Sequence, residues 1–491
     1  ALVFRFGVKN QSGGKAPQSK FIKESRMERR LQFSAWGFVS AVLFLMAGAA
    51  HADDWPQWLG PQRDGIWRED GLLTKFPAGG PKVRWRTPIG AGYSGPAVAQ
   101  GLVFITDRVL PEGVKNPENA FGRSRVEGKE RVLCLEEATG KVLWQYEYDC
   151  PYAVSYAAGP RTTPAVAGDK VYTLGAMGHL YCFDVKTGTI VWSKDLPKEY
   201  KFGVPQWGCA GHPLVDGKRL ICLVGGKGSV AVAFDKDTGR EIWRALSARE
   251  PGYAPPMIQN IGGQRQLILW HPESVNGLDP ETGAVFWTQP FVHRGEGQIK
   301  AGLTIPTPRV AGDQLFLTAF YDGPLMLKLS GTHKPTIRWQ GQGRGELPDD
   351  TDGLHSIMCT PFLKDGFIYG VCSYGELRCL DAATGKRLWS THQATVGNSV
   401  RWANAFLAQI HDEDRYVLFN ERGDLILANL TPKGYDEISR ANILEPTNTM
   451  AGGSKGGKGR RVIWSYPAFA NRSVYARNDR EIICVSLAAI Q

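Results

Sequence analysis

Eight short segments of this 491-residue chain carry the groups that could do chemistry together: G-A-G-Y-S-G-P, G-P-R-T-T-P, W-G-C-A-G-H-P, G-Y-A-P-P, L-T-I-P-T-P, H-S-I-M-C-T-P, V-R-W-A-N-A and W-S-Y-P-A. The candidate site residues among them are Tyr93, Ser94, Arg161, Thr162, Trp207, His212, Tyr253, Thr304, Thr307, His355, Arg401, Trp402, Asn404 and Tyr466. The set supplies hydroxyl and amide donors, aromatic faces and two guanidinium groups, which suits a planar or anionic ligand, or a peptide. The alternative is that small and proline residues pack a narrow channel while the polar groups bond backbone and water. No Asp or Glu falls in the eight segments, so they offer no carboxylate base. The nearest acids are Glu346, Asp349, Asp350 and Asp352, just before His355. They could hold calcium through their oxygens or supply a base; a solvated loop is the simpler reading.

What must position these segments is a repeat. C-L-E-E-A-T-G-K-V-L-W at 134–144 returns as C-F-D-V-K-T-G-T-I-V-W, A-F-D-K-D-T-G-R-E-I-W, G-L-D-P-E-T-G-A-V-F-W and C-L-D-A-A-T-G-K-R-L-W. The turn glycines Gly140, Gly188, Gly239 and Gly283 are 48, 51 and 44 residues apart; Gly385 follows after 102, with a degenerate copy around Gly331 between them. A period of this size marks a stacked or circular architecture. The carboxylates Glu136, Asp184, Asp235, Asp279 and Asp381 each lie four residues before a glycine and can accept N–H groups of their own turn. Glycine supplies the positive φ of a tight hairpin. Trp144, Trp192, Trp243, Trp287, Trp339 and Trp389 recur past the turn, a pattern expected of packing between neighbouring sheets.

A second hairpin, marked by Gly-Asp, Asp-Gly or Gln-Gly, precedes five of these turns, those of Gly140, Gly188, Gly239, Gly331 and Gly385. Each unit therefore reads as a four-stranded antiparallel meander, a propeller blade, whose first strand lines a central channel. Seven units have their own first strands; an eighth begins at Tyr466 and stops after its third strand. The segment K-V-R-W-R-T-P-I at 82–89 is a Trp strand with no blade before it. The expected fold is all-β: an eight-bladed β-propeller over 82–491, closed by the strand of Trp85, which removes free sheet edges.

The ends and composition bound the rest. Residues 27–52 read as a secretory signal: Met27-Glu28-Arg29-Arg30, an apolar stretch, then Ala50-His51-Ala52. A membrane anchor is the alternative, since the apolar stretch is about the shortest that can span. Residues 1–26 read as upstream sequence or a disordered leader, and 53–81 as an arm whose Trp55, Trp58 and Trp67 anchor it on the propeller, with ligand stacking as the alternative. The net charge of +10 falls to +4 without residues 1–52, so a nucleic-acid partner is not implied. Cleavage would leave no spanning segment, and a periplasmic or secreted monomer is expected. Of nine cysteines, Cys134, Cys182, Cys379 and Cys484 share one third-strand position and read as small core residues. No C-x-x-C pair or haem-attachment motif occurs. His179, His271, His293, His333 and His411 lack metal spacing. The Gly-rich basic run 452–461 lacks the strand-to-helix frame of a phosphate loop and reads as an inter-blade loop. The run 110–130 is an insertion in the first blade that can overhang a binding face.

The x-D-x-x-T-G-x-x-x-W unit resembles the repeat of pyrroloquinoline-quinone (PQQ) propellers over roughly residues 82–491. One branch of that family comprises quinoprotein alcohol dehydrogenases, including the polyvinyl-alcohol type. The other comprises the non-enzymatic outer-membrane β-barrel assembly lipoprotein and uncharacterised exported propellers, whose N-terminal signature D-D-W-P-Q-W-L-G-P-Q-R-D-G-I (53–66) resembles. The enzymes' resemblance implies PQQ and calcium as cofactors, but their adjacent-cysteine pair is absent here and only Asn404 is similar to an amide ligand. The expected function is an exported scaffold that binds a ligand or protein without redox turnover. The competing expectations are a PQQ-dependent alcohol or polyol dehydrogenase and an envelope assembly scaffold.

Overall fold

The computed structural model describes residues 53–291, 303–343, 347–411, 413–450 and 459–489. The signal and leader segments, Glu346, His293 and most of the Gly-rich run lie outside them. Eight antiparallel blades are present: 97–149, 165–195, 214–245, 257–290, 309–340, 362–391, 405–442 and 468–486, numbered 1 to 8 here. Blade 8 is completed by Val83–Pro88, which pairs with Glu481–Ser486 and sets Trp85 opposite Cys484. The ring is closed as the sequence implied. Beyond the blades the described residues form one helix, Leu196–Tyr200, one 3₁₀ turn, the short strand Ile66–Trp67 and a two-stranded ribbon of Asn448–Met450 with Arg460–Val462. No helix of the described residues is long and apolar enough to cross a membrane.

The repeat motif explains how blades lock together. Asp184, Asp235 and Asp381 each accept the N–H and hydroxyl of the Thr three residues on, which fixes the Thr-Gly turn. Each Trp then lies on the turn of the next blade. A Cβ built on Gly140, Gly188, Gly239, Gly283 or Gly385 would meet the ring of Trp85, Trp144, Trp192, Trp243 or Trp339 at 2.5–2.7 Å. These glycines are needed twice, for positive φ and for the bare face that seats the ring. The indole N–H donates to a carbonyl of the same turn: Trp85 to Glu137 O, Trp144 to Val185 O, Trp192 to Lys236 O, Trp243 to Pro280 O and Trp339 to Ala382 O. Trp389 does the same to Thr431 O of blade 7, although that blade has lost its Thr-Gly.

Trp287 differs because the turn it should reach, in blade 5, is the degenerate one. Its Nε1 donates instead to Gln266 Oε1 at 2.8 Å, and Gln266 Nε2 donates to Gly331 O at 2.6 Å. A buried glutamine thus relays the latch. The nine cysteines are all buried free thiols, and burial pushes Cys134 and Cys182 up to about 12, so they pack rather than react.

Candidate functional site

The N-terminal arm closes one end of the channel. Trp55 pairs with Val98 in the first strand of blade 1, Val166 of blade 2 donates to Pro56 O, and Ile66–Trp67 adds a parallel strand to blade 7. Between these anchors the arm crosses the axis. Arg63, buried, donates to Pro213 O at 2.9 Å and His212 O at 3.2 Å, and burial lowers its pKa to about 9. Trp58 stacks on His212 (centroids 3.8 Å apart, planes 18° apart) and donates to Thr307 Oγ1 at 2.9 Å. Trp55 and Trp67 anchor as expected; Trp58 is both anchor and channel floor.

Above Trp58 lies an axial cavity of about 500 Å³. The segments entering all eight blades reach it, through Tyr93, Tyr156, Trp207, Tyr253, Ile305, Met358, Trp402 and Tyr466 among others. Phe121, from the insertion in blade 1, overhangs it and sits edge-on to Tyr156 and Trp402. The lining is aromatic and aliphatic, with two guanidinium groups, Arg161 and Arg401, and no carboxylate among the described residues.

Of the residues expected at this opening, Tyr93, Arg161, Trp207, His212, Tyr253, Arg401, Trp402 and Tyr466 line the cavity. The other six do not line it. Ser94 donates to Thr106 O and Thr162 to Leu174 O, so these hydroxyls stitch the first strand of a blade to the second. Thr307 receives the Trp58 indole. His355 is fully buried with Nδ1 3.2 Å from Phe320 O. Thr304 and Asn404 are also buried, and Thr304 Oγ1 and Asn404 Nδ2 have no hydrogen-bond partner among the described residues. Trp58, Tyr156, Phe121 and Trp464 also line the cavity, beyond the residues expected there. Trp464 opens the segment W-S-Y-P-A and Tyr156 lies just before G-P-R-T-T-P, whereas Trp58 and Phe121 come from the arm and the insertion.

The electrostatics follow from burial. His212 Nδ1 accepts from Thr163 N at 2.9 Å, which puts the proton of the neutral ring on Nε2, and burial holds its pKa well below the usual range. Burial pushes Tyr93 up to about 12, and raises Tyr156, Tyr253 and Tyr466 further. Arg161 is bound into its own loop, donating to Ser155 O and Tyr156 O at 2.8 and 2.7 Å. The Arg401 guanidinium lies 4.0 Å over the Trp402 ring, a cation–π contact. Tyr156 and Trp402 have φ of 56° and 61°, a left-handed backbone that costs a bulky residue about 1–2 kcal/mol.

The acidic loop is separate. Asp349 and Asp350 are exposed. Asp352 accepts from Gln342 N and Gly343 N, and its carboxyl is held low by His355, 3.6 Å away, and by those N–H groups. No three His, Cys, Asp or Glu side chains form a metal-binding group among the described residues.

A family model described as outer membrane protein assembly factor BamB matches residues 128–391 and 336–489. The chain belongs to this family. It is 26% identical over 231 residues to the BamB of Burkholderia pseudomallei, covering 46% of this chain and 54% of that one. It is 32% identical over 168 residues to quinohemoprotein alcohol dehydrogenase ADH IIB of Pseudomonas putida, covering 32% of this chain and 21% of the enzyme. The chain thus spans about half the length of the first relative and a fifth of the second. The computationally designed Ika8 protein shares the fold at a TM-score of 0.50 and 10% identity, over 82% of this chain and 99% of that one.

PQQ, which the fold family implies, can be tested against the lining. Calcium takes six to eight oxygen ligands, largely carboxylate and amide, and the quinone chemistry needs a carboxylate base. Among the described residues the cavity offers one side-chain amide, Gln206, and no carboxylate. The donor set does not fit a calcium-bound quinone.

Proposed function

We propose that the chain is an exported, non-catalytic propeller that holds a segment of a partner protein in the axial cavity, within an assembly of envelope proteins. The observation that carries this reading is the lining: all eight blades contribute, the walls are aromatic and aliphatic, and no carboxylate faces in among the described residues. Such a wall removes apolar surface from water at about 25 cal/mol per Å² and presents no acid–base pair. The left-handed Tyr156 and Trp402 support it, since backbone strain of this kind collects where side chains must be presented to a ligand. The family's description, and the assembly factors among its relatives, support the envelope setting and a protein partner. The signal-like segment 27–52 supports export.

The test is a photocrosslinking amino acid placed at Phe121 or Met358 in cells, with Leu388 on an outer strand as control. Both cavity positions should yield an adduct with the same envelope protein that Leu388 does not yield. Absence of any cavity-specific adduct sinks the reading. A parallel titration with PQQ and calcium should leave the tryptophan fluorescence unchanged.

A further inference from the structure

A second concavity, of about 630 Å³, opens beside the axial cavity. Three loops serve both. Phe121 lines the axial cavity and Arg123 the second; Trp207 lines the first, Val204 the second and Gln206 both; Tyr253 lines the first and Glu250 the second. A ligand that crosses Gln206 therefore touches both spaces.

Their chemistry is complementary. The side pocket is ringed by four cations, Arg123, Lys201, Lys227 and Arg249, against two carboxylates, Glu250 and Glu273. Arg249 is occupied, its Nε 3.4 Å from Glu273 Oε1. Arg123 donates to Ala153 O and Val204 O. Lys201 and Lys227 form no ion pair among the described residues. Lys201 caps the short helix Leu196–Tyr200 with φ of 55°, and Lys227 sits in the loop Gly225–Gly228. A Cβ on Gly225 would stand 2.9 Å from the Phe202 ring, so this loop can rest on Phe202 only as glycine. Glu250 adds a second kind of group: its Oε2 is buried with no hydrogen-bond partner among the described residues. Burial raises its pKa against the pull of Arg123 and Arg249.

An orphaned acceptor between an aromatic pit and unpaired ammonium groups is matched by a peptide, which carries an N–H between its side chains and its anionic groups. We propose that the two concavities form one composite peptide site. An aromatic side chain enters the axial cavity. The adjoining acidic group, either a side chain or the chain-terminal carboxylate, lies among Lys201, Lys227 and Arg123. A peptide N–H between them donates to Glu250 Oε2. This rests on the binding reading above and adds the chemistry of the partner.

The test uses the full chain and a fluorescein-labelled peptide, Gly-Ser-Gly-Ser-Gly-Tyr-Phe, in three forms: free carboxylate, C-terminal amide, and an amide with Asp inserted before the Phe. Fluorescence anisotropy reads binding. At least one anionic form should bind about fivefold tighter than the neutral amide, a preference erased by about 0.5 M salt. Which form gains tells a terminal carboxylate from an acidic side chain. The variant Lys201→Ala/Lys227→Ala should lose the preference yet bind the neutral amide unchanged. Glu250→Leu, which removes an unpaired buried acceptor, should weaken all forms about fivefold without lowering stability. Equal affinity of the three forms, or a preference that survives the double variant, overturns the composite site and leaves the axial cavity standing. Failure of every form to bind overturns both.

Discussion

Trp58 and His212 lie face to face inside the channel, 3.8 Å between ring centroids, although they belong to different parts of the chain: the N-terminal arm and the entry to blade 3. The contact turns an open-ended bore into a blind cavity. It depends on three further bonds, Trp58 Nε1 to Thr307, Thr163 N to His212 Nδ1, and Arg63 to His212 O. One aromatic pair thus ties the arm to blades 2, 3 and 5, and fixes the depth of the site.

Replacing Trp58 by Ala should therefore act on stability and site together. Removal of a large buried ring costs about 3–5 kcal/mol when the space does not collapse. Urea denaturation should show that loss, and Trp58→Phe, which keeps the stack but not the bond to Thr307, should show a smaller one. A Trp58→Ala protein as stable as the parent would mean that the arm is not part of the folded ring.

The Gln266 relay offers a sharper test of how blades are joined. Gln266→Ala leaves the Trp287 indole N–H and the Gly331 carbonyl without their shared partner. Trp287 is buried, and an unpaired buried N–H costs about 1–3 kcal/mol; the half-buried Gly331 carbonyl can turn to water. Chemical denaturation should register at least that loss, and Gln266→Leu, similar in volume, should not restore it. A neutral Gln266→Ala would show that the latch between blades 4 and 5 is not made through this side chain.

Much of this architecture could be read beforehand because its information is local. Asp184, Thr187 and Gly188 make their turn within five residues, and Trp85 without a blade was enough to imply closure onto Cys484. The cavity was legible only where a side chain had one option. Tyr93, Trp207 and Trp402 are too large to hide behind a first strand, and they line it. Ser94, Thr162 and Thr307 are small, and each turned aside to a nearer partner. Trp58 and Phe121 could be assigned only to an anchoring arm and an overhanging insertion, because neither has a repeat to give its register. Gln266 was invisible for the opposite reason: it compensates for a motif that decayed elsewhere, in the turn of Gly331.

Two buried histidines set the direction of the acid response. Burial lowers His271 to about 4 and holds His212 well below the ordinary value of about 6.5. Glu273, the nearby carboxylate, opposes the shift of His271; Arg63 adds to that of His212. Both groups are neutral in the folded and unfolded chain above pH ~7. Below that the unfolded chain takes up protons that the folded one refuses, so stability falls as pH falls. His271 alone contributes roughly 2 kcal/mol of loss between pH 7 and 5, and the carboxyls of Glu250 and Asp479, raised by burial, act in the opposite sense. Urea midpoints across that window should decline, and His271→Gln should flatten the decline. A flat profile in the parent would contradict the burial of both rings.

The closure itself can be separated from ordinary turn geometry by two glycine substitutions. Gly140 and Gly331 both have positive φ, 72° and 52°. A Cβ on Gly140 would meet the Trp85 ring at 2.5 Å, whereas a Cβ on Gly331 meets nothing within 4 Å. Gly331→Ala therefore costs only the left-handed backbone penalty, about 1 kcal/mol. Gly140→Ala adds displacement of the ring that joins blade 8 to blade 1, about 1–3 kcal/mol more. It also weakens the bonds from Trp85 Nε1 to Glu137 O and from Thr87 to Gly140 O. In guanidinium denaturation Gly140→Ala should be clearly the less stable of the two. Equal stabilities would mean that Trp85 carries no load at the seam, and that the ring is closed by strand pairing alone.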